Sequence, residues 1–230
     1  MRTIPRVPRL LLLSLVTLGC QEAASPTDPA PPGAVIASDS AVAAAREDCV
    51  RITAPGTYTL TRDIIGCPHW SAVQITADDV TLRLNGHRIS GFGYEYQMPA
   101  IAAGGRNIRI LGPGLVEGYL AGATISGVEH FEMREVTFVH TPDYGLWIYG
   151  GRDVRIVDNT FTGMNYIAIA GGADSLLIAG NRFDGTGHNG ENGLRVSGNA
   201  LVIRDNHIHD FGFGILVVLL KLNAAQHFSR

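Results

Sequence analysis

Asp143, His188, Glu191 and Arg195 have side chains of the types that do acid–base chemistry on sugars. Two carboxyl groups facing each other across a glycosidic bond can act as acid and base in its hydrolysis. A histidine beside them can serve as a general base at neutral pH. An arginine presents a planar fork that fits a carboxylate and neutralises it. His188 as base and Arg195 as carboxylate clamp would also suit β-elimination on a uronate polymer, or C5 epimerisation. Tyr144, Trp147 and Asn192 are the candidate binding residues around them, because an aromatic ring covers the apolar side of a sugar and an amide reaches its hydroxyls. Three of the seven fall in a polar loop, Asp184-Gly185-Thr186-Gly187-His188-Asn189-Gly190-Glu191-Asn192-Gly193. Turns are rich in Asp, Asn and Gly for purely local reasons, so the same residues also read as a solvated turn.

These residues are up to 52 positions apart, and only a fold that stacks distant segments can unite them. The sequence contains such a device. RLNGHRI at 83–89, ILGPGLV at 110–116, REVTF at 134–138, VDNTF at 157–161, AGNRF at 179–183 and RDNHI at 204–208 each end on an apolar residue. The closing residues Ile89, Val116, Phe138, Phe161, Phe183 and Ile208 are separated by 27, 22, 23, 22 and 25 positions. A period near 24 residues without helical patterning is one turn of a parallel β-solenoid. Period-two alternation then points Phe131/Met133, Val154/Ile156, Leu176/Ile178 and Leu201/Ile203 inward. Asn159, Asn181 and Asn206 share one offset, two residues before the closer, and are expected to stack as an amide ladder with αL geometry at the bend. Aligned on the next strand, Asp143, Met164, Glu191 and Gly212 occupy one offset. Tyr144, Asn165, Asn192 and Phe213 occupy the next, and Trp147, Ala168, Arg195 and Leu216 a third. Asp143 and Glu191 then lie two coils apart, roughly 9–10 Å at the backbone.

The run Ile52-Thr53-Ala54-Pro55-Gly56-Thr57-Tyr58-Thr59-Leu60, followed by Val80-Thr81-Leu82-Arg83-Leu84-Asn85-Gly86-His87-Arg88-Ile89, resembles the opening coils of right-handed parallel β-helix proteins of the pectate-lyase-like superfamily. The DNTF, GNRF and DNHI turns are similar to later coils of the same family. The resemblance implies an all-β fold, a right-handed parallel β-helix of about 6–7 coils of ~22–27 residues each. It is nearly silent on activity, because this fold hosts lyases, hydrolases, epimerases, esterases and plain binding modules.

The N-terminal residues read as an address. Arg2, Arg6 and Arg9 precede the apolar run 10–18, which is too short to span a bilayer, and Gly19-Cys20 follows. Residues 1–19 resemble a bacterial lipoprotein signal peptide, which makes Cys20 the lipidated N-terminus. Residues 20–37 carry four prolines and read as a tether, 38–48 as an N-terminal cap with a short helix, 49–217 as the β-helix, and 218–230 as a C-terminal cap or a truncated end. The expected setting is the outer membrane, the periplasm or the cell surface, with a lipid bilayer as one partner. Cys49 and Cys67 are a candidate disulfide in that oxidising setting.

The formal net charge is −3 and no basic run is present, which argues against nucleic acid as a partner. His207-Ile208-His209-Asp210 lacks a third ligand placed by sequence. Glu135, Asp158 and Asp205 align across coils but Gly180 interrupts them, so neither metal nor cofactor is expected. Two functions remain open. One is an exported, anchored β-helix that binds acidic polysaccharide or serves a structural role at the surface. The other is a lyase, epimerase or hydrolase acting on acidic glycans.

Overall fold

A computed structural model describes residues 35–36, 49–67, 71–92, 98–186 and 192–218. Among these residues every regular element is a strand, and every pairing between strands is parallel. The chain winds through seven coils and opens an eighth. Each coil contributes one segment to each of three faces, and parallel pairing is the only way successive coils of one hand can stack.

One inward row per face defines the register. On the first face it runs Val50, Val73, Ile101, Ala123, Leu146, Ile169, Leu194, Ile215. On the second it runs Tyr58, Leu82, Ile110, Met133, Ile156, Ile178, Ile203. On the third it runs Ile64, Ile89, Val116, Phe138, Phe161, Phe183, Ile208. The expected closers are therefore all in register, and the five from Ile89 to Phe183 are fully buried. The expected inward pairs of the second face are also buried, save Leu201 and Ile203, which are half-buried in the last described coil.

The phenylalanines of the third face need room on the first. Phe138 and Phe161 stack with centroids 4.8 Å apart, and Phe161 and Phe183 at 5.0 Å. Their edges press against Gly122 and Gly145. A Cβ on Gly145 would lie 2.5 Å from the Phe161 ring and 2.6 Å from the carbonyl oxygen of Ala168. The small residue on one face is thus the complement of the large one on another.

The Asn ladder lies at the bend between the second and third faces. Asn159 Nδ2 donates to Asn181 Oδ1 at 3.1 Å, and Asn181 Nδ2 to Asn206 Oδ1 at 3.0 Å. The same oxygens accept the backbone N–H of Asn159 and Asn181 at 2.8 and 2.9 Å. The expected αL geometry sits one residue earlier. Glu135, Asp158, Gly180 and Asp205 have φ between +54° and +67°, so the acids that align across coils, and the glycine among them, are the positive-φ corner residues.

A disulfide joins Cys49 and Cys67, with Cα atoms 5.6 Å apart. The sequence placed residues 35–37 in the tether, but Val35–Ile36 forms a strand that pairs with Thr59 and Leu60 on the second face. The expected helix at 38–48, the signal and Cys20, and the segment 219–230 lie outside the described residues.

Candidate functional site

The first face carries one continuous outward row: Arg51, Gln74, Ala102, Thr124, Trp147, Ala170, Arg195 and Leu216. Strand alternation puts these side chains outside because their neighbours fill the core. Trp147, Ala170 and Arg195 come from three consecutive coils. The small Ala170 and the adjoining Gly171 leave a step between the indole on one side and the guanidinium on the other. The step widens into a cleft of about 270 Å³ lined by Tyr144, Trp147, Ile167, Ala170, Gly171, Arg195, Ser197 and Val218. Gly171 holds φ near +104°, and a Cβ there would strike the backbone of Ile148, so the floor is tied to glycine.

The aromatic wall is a cluster. Tyr144 meets Trp147 edge-on at 3.8 Å, Trp147 stacks on Tyr149 at 5.0 Å, and Tyr166 stands edge-on to Tyr144 at 5.8 Å. Burial pushes the Tyr144 hydroxyl up to about 12, with the Asp143 carboxylate adding to the shift, so Tyr144 stays a neutral donor at physiological pH. Asp143 is half-buried beside it. Its carboxyl has no hydrogen-bond partner among the described residues, and burial raises it above the ordinary carboxylate value. Arg195 is exposed and makes no ion pair among the described residues.

The sequence-expected set thus divides. Tyr144, Trp147 and Arg195 line one cleft, and Asp143 precedes Tyr144 at its edge. Asn192 does not present to the cleft: it is 8% exposed, paired between Ile167 and Phe213. His188 and Glu191 lie outside the described residues. The alignment of the middle coil needs correction. Ile167 and Ala170, not Asn165 and Ala168, stand opposite Tyr144 and Trp147, and Met164 is buried. The spacing itself carries the correct alignment: Ile167 follows Phe161 by six residues, as Tyr144 follows Phe138.

A family described as right handed beta helix region matches residues 107–224, just over half of the chain. The chain belongs to the right-handed β-helix family. No curated protein and no solved structure matches it. In this β-helix the polar groups of the other two faces are largely engaged within the molecule. On the second face Arg106 pairs with Asp78, Arg134 and Arg109 with Glu132, Arg152 with Glu129, and Arg155 with Asp153. On the third, His209 is caught between Asp184 and Asp210, with Arg182 on Asp184. Asp184 Oδ1 is buried and faces His209 Nε2 as an ion-pair approach without an aligned hydrogen bond. The row Thr137, Thr160, Arg182 and His207 stacks in register outside this face. Tyr149, Tyr166 and the Ala170-Gly171-Gly172 floor were missed by sequence reasoning. Their signal was the β-strand period on the first face, which becomes readable once the six-residue spacing from Phe138 to Tyr144 is carried on from Phe161 to Ile167.

Proposed function

We propose that this β-helix is an exported, membrane-anchored lipoprotein that binds acidic polysaccharide through its first face. One observation carries the binding claim: an aromatic wall and a guanidinium that makes no ion pair among the described residues face each other across a floor of Ala170 and Gly171. The ring of a sugar fits between such walls, its apolar side on Trp147 and its carboxylate toward Arg195. The anchoring claim is supported by the basic, apolar, Gly-Cys order of residues 1–20 and the proline-rich stretch after it. Retention on polygalacturonate, alginate and glycosaminoglycan matrices tests the site. Trp147→Ala and Arg195→Ala should each cut retention while the melting temperature stays within a degree or two of wild type. Undiminished retention in both variants sinks the assignment.

A catalytic reading has one specific observation in its favour. Asp143 is a half-buried carboxyl with a raised pKa at the edge of the cleft, the state in which a carboxylic acid can deliver a proton. Appearance of unsaturated or shortened products from any of these polymers, lost in Asp143→Asn, would establish it. Stable binding without product leaves the binding reading.

A further inference from the structure

Three coils before the aromatic cleft, the same outward row passes through a second depression. Its floor is Ala102, Ala103 and Gly104, and its walls are Gln74 and Thr76 from the preceding coil and Thr124 and Ser126 from the following one, enclosing about 380 Å³. The build repeats that of the first cleft: one coil of small residues between two coils with longer side chains. The chemistry differs. The walls carry an amide and hydroxyls and no charged group. Thr76 Oγ1 is engaged with the carbonyl oxygen of Ile52 at 3.4 Å. Gln74, Thr124 and Ser126 make no side-chain hydrogen bond among the described residues, although Gln74 and Thr124 are half-buried. These groups are held at the surface of the depression with donors and acceptors that a ligand can take over from water.

From these observations, and resting on the glycan-binding reading above, we infer that the depression at Gln74, Ala102 and Thr124 is a second subsite for the same ligand. It takes an uncharged, hydroxyl-bearing unit of a linear polysaccharide whose acidic unit sits at Arg195. Two features join the subsites. They lie on one unbroken register row, and Ala102 and Ala170 are three coils apart, about 14 Å at ~4.8 Å per coil. A chain laid along the solenoid axis reaches both, with Thr124 and Trp147 between them. A ligand long enough to engage both sites binds the second intramolecularly, so affinity rises without any new kind of contact. The polymer expected is one that mixes neutral and acidic units.

The test uses the intact protein and hyaluronan oligosaccharides of graded length, which alternate a uronate with a neutral sugar. Polygalacturonate oligomers serve as the all-acidic comparison. Wild-type affinity for hyaluronan should climb at least about tenfold once the oligomer spans the two depressions, and should climb less for polygalacturonate. Ala102→Trp, which fills the notch from outside, should erase the gain for long oligomers and leave the short ones unchanged. The pair Gln74→Ala with Thr124→Ala should do the same without added bulk. A length profile that is flat in wild type, or unaltered by both sets of variants, overturns the second subsite while leaving Arg195 binding intact. If Arg195→Ala and Trp147→Ala have no effect at any length, or no oligomer binds, the parent reading falls and the second subsite with it.

Discussion

Phe161 lies in the middle of a ring stack, with Phe138 at 4.8 Å on one side and Phe183 at 5.0 Å on the other. Truncation to alanine deletes contacts with two coils at once, so Phe161→Ala is expected to cost about 3–5 kcal/mol in denaturant unfolding. A loss below about 1 kcal/mol would show that the stack does not carry the core. Asn181 is smaller but joins as many coils. It accepts from Asn159 N–H and Nδ2 and donates to the carbonyl oxygens of Ile156 and Ala179. Asn181→Ala strands several buried polar groups, each worth about 1–3 kcal/mol when unsatisfied, and should therefore cost as much as the phenylalanine. Asn181→Asp repeats the shape without the donor, and should recover only part of the loss. Both kinds of residue were legible in the sequence because a core position admits one large apolar side chain, or one self-pairing amide, per turn.

Between the second and third faces the coils turn through positive-φ residues, and between the first and second they turn through Asp79, Asn107, His130 and Asp153. Acids at these and neighbouring bends are locked by groups of adjacent coils and of their own strand. The Asp153 carboxyl accepts from His130 and from Arg155, and Asp63 accepts the backbone N–H of Arg88, which hold both below the ordinary carboxylate value. A lowered folded-state value means that the unfolded chain takes up protons first. Their contribution is complete above the usual carboxylate range near 4 and is lost as pH falls through the lower folded values. The melting temperature should therefore drop on acidification below about pH 4, and the drop should be shallower in Asp153→Asn. Equal slopes would disconnect the corner from acid stability. The element scale also shows where the sequence misleads. The closers could be aligned because Val116, Phe138, Phe161 and Phe183 are unmistakable, whereas the first-face register of the coil after Phe161 slipped by two positions. That coil offers only Ala170 and Gly172 as outward markers, with no polar or aromatic side chain to fix the period. Asn192 does align with Tyr144 and Phe213 as expected, but a polar residue at the start of a strand is assumed to face water, and here it is buried at the core edge.

At the scale of the molecule the chain is a one-dimensional stack in which each coil touches its neighbours and little else. The proposed export and anchoring belong to this scale, since they would decide where the whole stack is held. Cys20→Ser should move the protein from the membrane fraction to the soluble periplasm of a Gram-negative host, and unchanged fractionation would refute lipidation at Cys20. The disulfide also acts here. Cys49 and Cys67 are 18 positions apart, bracketing the strands Val50–Ile52, Gly56–Leu60 and Ile64–Ile65 that make up one full coil. Removing that closure through Cys49→Ala with Cys67→Ala should lower stability by roughly 3 kcal/mol in the chain-entropy account, read as an earlier denaturant midpoint. At the opposite end Phe213–Val217 is exposed at every residue. The two ends therefore differ in kind. Among the described residues, a protease or a pulling motor that works inward from the C-terminal side meets an exposed strand and no covalent closure, and can peel coils one at a time, each departure baring the next. One that works from the N-terminal side meets a covalent ring, which cannot be drawn out as a single thread until its sulfur bond is reduced. The molecule has a direction of wear, and the reducing power of its surroundings decides whether that direction can be reversed.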